Sequence, residues 1–494
     1  MFDKIKQKFE KAKGSVKHGD KGVVVSIPES PGLSKKDIYR NRYNYGVNLG
    51  GCFILEKWIF ESVFDKGGDT EFDAVSAQTN HFSVDEAASK LARQYDDYIN
   101  RIDWNWVKNE AGITALRVPI GYWHVGNGQF VDGLPFEPLR EVYSGAKPWD
   151  VLKNLINKAA QYDIGVLVDV HGLPGGANTD MHSGYKNNSP SFFNKSKYVD
   201  KMVNVILPFI CRDVCINYEN VIGLQIVNEA VFDNSAKGQK NYYSRAVGAL
   251  SQIDPGLPVV ISDGWWPDQW AEWLGQTNLT ANVVVDSHVY RCFSTEDKAK
   301  NANQIINDLP VSINWPRDRA DFVVGEFSCV LDGETWNKTS GNRDEWVRKF
   351  GKVQTNAFAN VASWGWFFWT LQFQYGDGGE WGLVPMVSKD AIPRRPHSSP
   401  VIDEHRVKEI IIEHINYWKD KGGDSMEHWR FEDGLRGGVA DINAFAQFDN
   451  SRVGRWKSLA LQRRAQYISR KGDSKYMWEW DQGYQRAIDE FGCY

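Results

Sequence analysis

Residues 165–176 read GVLVDVHGLPGG. The stretch begins with an almost unbroken run of aliphatic and β-branched residues, reaches a histidine, and passes into a glycine-rich turn. Runs of this kind are typical of strands buried on both faces, as in a parallel sheet covered by helices. Similar runs occur at residues 282–290 (NVVVDSHVY) and 321–327 (DFVVGEF). The repetition predicts a parallel sheet.

Eight such runs occur along the chain, and stretches with helical periodicity separate them. Strand and helix repeated eight times predict an α/β protein with a (β/α)₈ TIM barrel. An open doubly wound sheet is the competing fold, but no GxGxxG turn follows the first run. The predicted strands are 45–49, 115–120, 165–171, 221–229, 258–264, 282–290, 321–327 and 363–370. The predicted helices are 83–99, 150–162, 198–218 and 343–360 between the strands, and 404–419 and 454–467 after them.

The chain of 494 residues is longer than a minimal barrel of about 250 residues. We expect an N-terminal extension at 1–40, the catalytic barrel at 41–400, and a helical, aromatic-rich C-terminal extension at 401–494 that packs on the barrel. The first residues place Phe2, Ile5, Phe9 and Ala12 at helical spacing with lysines between them. Such a helix could dock on the domain or fray, or make a peripheral membrane contact through its basic face.

Composition narrows the range of functions. The net charge is −5 and the pI is about 6.1, which argues against nucleic acid as a partner. Aromatic residues make up 13% of the chain and include 21 Trp, which suits either sugar binding or ordinary core packing. The scattered cysteines are expected to be buried thiols. Without a signal peptide or a long apolar run, the chain is predicted to be intracellular, in the cytoplasm.

Polar and ionisable residues stand at the ends of seven of the eight runs. Active sites of TIM barrels form at the carboxyl ends of the strands, so these side chains are expected to meet. Any one of them alone could be a helix cap or a solvated loop group, but their common position favours a functional site. The residues are Glu56, Arg117, His171, Asn228, Glu229, His288, Tyr290, Glu326 and Trp369.

Two carboxylates after different strands suit glycoside hydrolysis. One must be protonated to assist the leaving oxygen, and the other must be ionised to attack the anomeric carbon or activate water. Arg117 is the expected cation beside Glu326, and Tyr290 could donate a hydrogen bond to the same carboxylate. The carbohydrate itself is the expected partner.

Four further residues are predicted to bind the sugar. Asn228 is placed to bind a 2-hydroxyl, and Trp369 offers a ring face beneath the sugar. His171 and His288 could bind hydroxyls or orient the acid. The alternative for each of the two histidines is a buried core residue whose hydrogen bonds are made within the protein. Their position after a strand favours a role in the site.

The order of these residues along the chain resembles that of glycoside hydrolase family 5, and most of all that of fungal exo-β-1,3-glucanases and their intracellular relatives. The resemblance spans roughly residues 45–382. The segments that carry it are GVNLGGCFILEKWIFESVF (46–64), LRVPIGYW (116–123), VDVHGLPGGANTDMHSG (168–184), IGLQIVNEA (222–230), SHVYRCF (287–293), VGEFS (324–328) and GWFFWT (365–370).

The resemblance implies hydrolysis with retention through a covalent glycosyl-enzyme on Glu326. Glu229 would protonate the leaving group and then deprotonate water, and no metal or cofactor would take part. Glu56 matches a residue that holds the hydroxyls of the non-reducing terminal glucose in the exo-glucanases. This match favours exo action on terminal β-glucosyl residues, of the β-1,3-glucan type.

The chain departs from the family in the loop after His171. The family usually has Asp-Asn before Ser-Gly, where this chain has Met181-His182. His182 is nevertheless predicted to bind substrate. The departure leaves a glucosylated lipid or small molecule, such as a steryl or ceramide glucoside, as an alternative substrate. A catalytically silent carbohydrate-binding protein on the same fold is the alternative of a different class.

Overall fold

The computed structural model describes residues 32–277, 279, 282–396 and 399–492. The predicted N-terminal amphipathic helix lies outside these residues. The described chain divides into two compact units, which we call the barrel unit (32–400, 441–472 and 492) and the tail unit (401–440 and 473–491). The domain bounds predicted from the sequence stay a prediction.

The barrel unit contains a closed barrel of eight parallel strands in sequence order, in which β1 pairs with β8. This arrangement confirms the predicted TIM barrel. Seven strands match the predicted ones to within two residues at either end. The strands are β1 Asn44–Asn48, β2 Ala115–Gly121, β3 Gly165–Gly172, β4 Val221–Gln225, β5 Val259–Ser262, β6 Val283–Val289, β7 Asp321–Phe327 and β8 Gly365–Phe368.

The fourth strand is shorter than predicted, because it ends at Gln225 and not at Glu229. The side-chain amide of Gln225 donates to the carbonyl of Val227 at 3.0 Å, and Glu229 has a left-handed backbone with φ +43°. The apolar run therefore continues past the point where the backbone leaves the sheet.

Helices cover the barrel, and the sequence shows why one of them begins where it does. The Ser83 hydroxyl accepts from the backbone N–H of Glu86, and the Glu86 carboxylate accepts from the N–H of Ser83 at 3.0 Å, which confirms the predicted capping box. The helices of the barrel unit are Lys35–Asn41, Glu71–His81, Val84–Asn100, Arg140–Ala146, Pro148–Ala160, 196–215, Lys237–Ser251, Pro267–Gly275, Thr295–Lys298, Ala302–Ser312, Gly333–Asn337, Arg343–Val361, Leu383–Ser388 and Trp456–Lys471.

Every second side chain of a strand points into the barrel, and these inward side chains form an apolar layer followed by a polar layer. One buried cluster takes an apolar side chain from each of β2 to β8, among them Ala115, Leu167 and Val284. Two residues further along the same strands, and therefore on the same inward face, are Arg117, Asp169 and Asp286. The inward face thus changes from apolar to charged towards the carboxyl ends of the strands.

Two smaller features of the described part of the chain concern its helices and its cysteines. None of its helices combines the length and apolar character that a membrane span requires. Its cysteines are buried free thiols: Cys52, Cys211, Cys215, Cys292 and Cys329.

In the tail unit, a buried carboxylate joins three helical segments. Glu479, on the helix Met477–Phe491, is 0% exposed. Its Oε2 lies 3.0 Å from His414 Nε2, on the helix Glu404–Lys419, and 2.8 Å from His428 Nδ1, at the start of the helix His428–Gln447. The other oxygen accepts from the backbone N–H of Glu427 at 2.9 Å. Burial raises the pKa of Glu479, but the hydrogen bonds from the two histidines outweigh it and lower the pKa.

Replacement of Glu479 by alanine is expected to lower the free energy of unfolding of the tail unit by about 3 kcal/mol, because two histidines lose their buried partner. Since the pKa of Glu479 is lowered on folding, its contribution is present above the unfolded pKa of about 4.3 and is lost as the pH falls through the folded value. Calorimetry at neutral and acidic pH measures both effects. The exposed Glu413→Ala variant is the control, and equal melting temperatures for the two variants would contradict the assignment.

Candidate active site

A cavity of about 700 Å³ opens where the ends of the barrel strands meet. Seven of the ten predicted site residues line it. The other three do not line the cavity, but each is hydrogen-bonded to a residue that does: Arg117 to Glu326, Asn228 to His171 and His288 to Glu229. The lining residues are Glu56, Trp58, His171, Asp180, His182, Glu229, Trp265, Tyr290, Phe293, Ser294, Glu326, Trp369 and Trp381.

Arg117 is the centre of the polar layer inside the barrel. It is fully buried, and its Nη1 donates to Glu326 Oε1 at 2.9 Å while its Nη2 lies 3.0 Å from Asp169 Oδ2. Burial alone would lower the pKa of Arg117, but the carboxylates of Asp169, Glu326 and Asp286 outweigh it and raise the pKa. The guanidinium is therefore a permanent cation. It also donates to the side-chain oxygens of Asn48, Gln225 and Asn228.

Glu326 accepts hydrogen bonds on both carboxylate oxygens. Oε1 faces Arg117, and Oε2 accepts from the Tyr290 hydroxyl at 2.9 Å, as the sequence predicted for both partners. The Nδ1 of His288 lies 3.5 Å from the same Oε2. These donors come from β2, β6 and the residue after β6, so the barrel itself fixes the orientation of the carboxylate.

Glu229 has a strained backbone and lies four residues after the end of β4. A positive φ is uncommon outside glycine, costs about 1–3 kcal/mol and persists where the surroundings hold it. Here the Asn178 side chain donates to the Glu229 carbonyl at 3.1 Å, and the next N–H, of Ala230, donates to the Ser262 hydroxyl at 3.0 Å. This turn directs the preceding residue, Asn228, towards Arg117 and the Glu229 carboxylate towards the cavity.

Two imidazoles bind the Glu229 carboxylate, one on each oxygen. His288 Nδ1 lies 2.7 Å from Oε1, and His182 Nε2 lies 3.1 Å from Oε2. Burial opposes ionisation of Glu229, but the hydrogen bonds from His182 and His288 outweigh it and hold the pKa of Glu229 well below its usual range. Burial lowers the pKa of His288, but Glu326, Asp286 and Glu229 outweigh it and raise this pKa well above its usual range.

Asp286 holds His288 from behind. Its Oδ2 lies 3.1 Å from His288 Nε2 and accepts from Gln225 Nε2 at 2.8 Å, while Oδ1 accepts from the backbone N–H of Gly325 at 2.6 Å. A Cβ at position 325 would lie 2.2 Å from this Oδ1, so only glycine permits the approach. Burial raises the pKa of Asp286, and the contacts with His288 and Arg117 outweigh it and lower the pKa.

The carboxylates of Glu229 and Glu326 are close neighbours. One oxygen of each, together with a ring nitrogen of His288, lies within 4.8 Å of the others. A set of this kind could also accept a cation, and the predicted absence of a metal and of a cofactor stays a prediction.

Glu56 and Trp369 bound the same cavity. The Trp58 indole N–H donates to Glu56 Oε2 at 3.0 Å. Burial raises the pKa of Glu56 to about 7, and the nearby Glu326 and Glu229 carboxylates add to the effect. The Trp369 ring lies at a 23° angle to the His171 ring, with 6.3 Å between centroids. Both residues thus face the space in which the sequence predicted a sugar.

Asn228 and His171 are engaged with the protein. Asn228 is fully buried; its Oδ1 accepts from Arg117 at 2.7 Å and its Nδ2 lies 3.0 Å from His171 Nε2. His171 Nδ1 lies 2.7 Å from Asp169. Direct contact of Asn228 with a sugar hydroxyl stays a prediction.

Asp169 and Asp286 were not predicted as site residues, although the sequence contains a signal for them. Each precedes a predicted site histidine by two residues, in Asp169-Val-His171 and Asp286-Ser-His288. Period-two alternation places both members of such a pair on the same inward face of a strand. The aromatic lining residues Trp58, Trp265, Phe293 and Trp381 lie outside the strands, where alternation gives no signal.

Comparison with known proteins shows the family to which the barrel belongs. The family model described as Cellulase (glycosyl hydrolase family 5) matches residues 72–374, and the model described as Glucan 1,3-beta-glucosidase 3 C-terminal domain matches residues 402–493. The first match covers more than half of the chain. The protein belongs to glycoside hydrolase family 5 and is a glycoside hydrolase.

Two relatives cover most of the chain. It is 54% identical over 502 residues to an uncharacterized glycosyl hydrolase of Saccharomyces cerevisiae, YBR056W, with 100% of both chains covered. It is 33% identical to glucan 1,3-beta-glucosidase 3 of Schizosaccharomyces pombe over 428 residues, which cover 84% of this chain and 89% of that protein. The crystal structure of rutinosidase from Aspergillus niger shares the fold, with a TM-score of 0.56 and 19% identity over 72% of this chain and 98% of that one.

Proposed function

We propose that the protein is a retaining, exo-acting β-glucosidase that removes terminal β-glucosyl residues, with Glu326 as nucleophile and Glu229 as acid/base. One observation carries the proposal: oxygens of the two carboxylates lie within 4.8 Å of one another at the cavity, and each carboxylate has a different set of partners. Retaining glycosidases place the two carboxyl groups about 5–5.5 Å apart, whereas inverting enzymes leave about 6.5–9.5 Å for a water.

The partners of Glu326 suit a nucleophile. Arg117 is a permanent cation on one oxygen, and the Tyr290 hydroxyl donates to the other. Both contacts favour the ionised form that attack on the anomeric carbon requires. In the first step, a Glu326 oxygen forms a bond to this carbon as the bond to the leaving oxygen breaks.

The position of Glu229 suits an acid/base, because its carboxylate faces the cavity beside Glu326 and has two imidazoles that can supply or accept a proton. In the first step, Glu229 donates a proton to the leaving oxygen. In the second step, water attacks the anomeric carbon, the bond to Glu326 breaks, and the proton of the water passes to Glu229.

Glu56 supports exo action. A carboxyl group that faces the cavity next to the two catalytic carboxylates, with a pKa of about 7, can both accept and donate hydrogen bonds to sugar hydroxyls near neutral pH. The resemblance to exo-glucanases assigns the terminal glucose to this residue. The relative from Schizosaccharomyces pombe is named a glucan 1,3-beta-glucosidase, which supports a β-1,3-linked substrate.

A β-glucosidase for an apolar aglycone is the second candidate, and the aromatic lining of the cavity favours it. Trp58, Trp265 and Phe293 line the cavity and are 51%, 54% and 64% exposed. Exposed aromatic rings beside a polar site can hold the next sugar of a glucan or an apolar aglycone such as a sterol or ceramide. The cytoplasmic location and a membrane contact through the N-terminus stay predictions.

The test measures glucose release by the purified protein from four substrates in parallel: laminarin, an aryl β-glucoside, a steryl glucoside and a glucosylceramide. We expect cleavage of the aryl glucoside and of laminarin. Activity on a lipid glucoside with laminarin uncleaved would favour the second candidate. The Glu326→Gln variant is the control, and no glucose release by either protein from any of the four substrates would favour the silent carbohydrate-binding protein.

A further inference from the structure

His182 places an imidazole against the carboxylate that the proposed mechanism uses as acid/base. It lies in the short helical turn Met181–Ser183 after β3, and its Nε2 is 3.1 Å from Glu229 Oε2. The family pattern has an asparagine at this position, and an amide cannot carry a proton that titrates. The substitution therefore adds a titratable group to the site.

The other ring nitrogen of His182 is already occupied. His182 Nδ1 lies 3.0 Å from His171 Nε2, and His171 Nδ1 lies 2.7 Å from Asp169 Oδ2. Because Asp169 accepts the N–H at Nδ1 of His171, the Nε2 of a neutral His171 is an acceptor, and Asn228 Nδ2 also approaches it at 3.0 Å. A His182 Nδ1 without a proton would set two lone pairs against each other 3.0 Å apart, so His182 directs its own Nδ1–H towards His171. Burial lowers the pKa of His171 and thus favours this neutral form, even though Asp169 opposes the shift.

This tautomer leaves one position for an additional proton. With the Nδ1–H of His182 directed to His171, a further proton on the pair would lie between His182 Nε2 and Glu229 Oε2, which are 3.1 Å apart. We propose that His182 is a positioning residue that shares the catalytic proton with Glu229, and that His171 and Asp169 hold its ring in place. The inference rests on the proposed role of Glu229 as acid/base.

The shared proton fits both steps of the reaction. When the bond between the anomeric carbon and the leaving oxygen breaks, the proton passes to that oxygen and leaves a carboxylate on Glu229 and a neutral His182. When water attacks and the bond to Glu326 breaks, the proton of the water returns to Glu229 and is shared again with His182. One water is consumed, and the pair ends with the proton it began with.

The charged groups around His182 and Glu229 determine the pH up to which this pair remains protonated. His182 faces Glu229, His171 and Asp180, with Glu56 and Glu326 further away. Glu229 also contacts His288, which Asp286 supports. Burial lowers the pKa of His182, but Glu229, Glu56 and Glu326 outweigh it and raise the pKa to about 9. The pair is therefore expected to remain protonated well above neutral pH.

In the His182→Asn variant, Glu229 is the group that must carry the proton, with His288 as its imidazole partner. The alkaline limb of the kcat/KM profile on an aryl β-glucoside with a poor leaving group is expected to move down by at least about one pH unit. A 2,4-dinitrophenyl β-glucoside needs no protonation to leave, so its kcat/KM should fall by less than about threefold. His81→Asn, at an exposed position on a surface helix, is the matched control.

Three results would overturn the proposal. These are an unchanged alkaline limb in His182→Asn, an equal loss on both substrates at every pH, or a limb that also moves in His81→Asn. If Glu229→Gln keeps wild-type kcat/KM on the poor leaving group, the proposed function fails instead. An NMR titration of the His182 ring needs no turnover: its midpoint should fall by more than about one unit in Glu229→Gln. The same midpoint in both proteins would overturn the proposal.

Discussion

The Glu326→Gln variant is expected to lose at least about 10⁴-fold in kcat/KM on an aryl β-glucoside, because the amide cannot form the glycosyl-enzyme. Glutamine has the shape of glutamate and keeps an oxygen for Arg117 or Tyr290, so the fold should survive. Steady-state kinetics gives the loss, and circular dichroism checks the fold. The exposed Glu345→Gln variant should keep wild-type activity. More than about a tenth of wild-type kcat/KM in Glu326→Gln would exclude this residue as the nucleophile.

The Glu229→Gln variant is expected to separate substrates by their leaving groups. On an aryl glucoside with a poor leaving group, kcat/KM should fall by about 10²–10⁴-fold, since general acid catalysis is lost. On 2,4-dinitrophenyl β-glucoside it should fall by less than about tenfold, since this leaving group departs without a proton. Equal losses on the two substrates would show that Glu229 acts in binding or folding and not as the acid.

Arg117 illustrates how much of the site the sequence could predict. Its position in β2, two residues after an inward apolar residue, follows from strand alternation, and its pairing with Glu326 follows from charge. Tyr290 and Glu326 meet for the same reason, because the ends of β6 and β7 are neighbours in a parallel barrel. The fold and the central carboxylates were therefore within reach of pattern reasoning.

The course of the chain after β4 could not be predicted from the sequence. Apolar periodicity continues to Val227, so nothing in the pattern indicates that the strand ends at Gln225 or that Glu229 takes a positive φ. The contacts that fix this turn, from Asn178 and Ser262, come from residues distant in sequence. Contacts of this kind depend on the closed barrel and not on local preference.

His182 is a second case in which the structure adds to the sequence. The departure from the family pattern was visible, but its position relative to Glu229 was not, because the loop after β3 has no periodicity to read. The return of residues 441–472 to the barrel unit was equally hidden, since helical periodicity at 456–471 says nothing about which unit the helix joins.

Covalent labelling identifies the nucleophile most directly, through mass spectrometry of peptides after incubation with 2-deoxy-2-fluoro-β-glucosyl fluoride. This reagent slows hydrolysis of the glycosyl-enzyme more than its formation, so a retaining enzyme accumulates the covalent intermediate. The proposed role of Glu326 as nucleophile predicts one fluorodeoxyglucosyl group on the peptide that contains Glu326, and none in Glu326→Gln. A label on another residue, or glucose released with inverted configuration and no label, would contradict it.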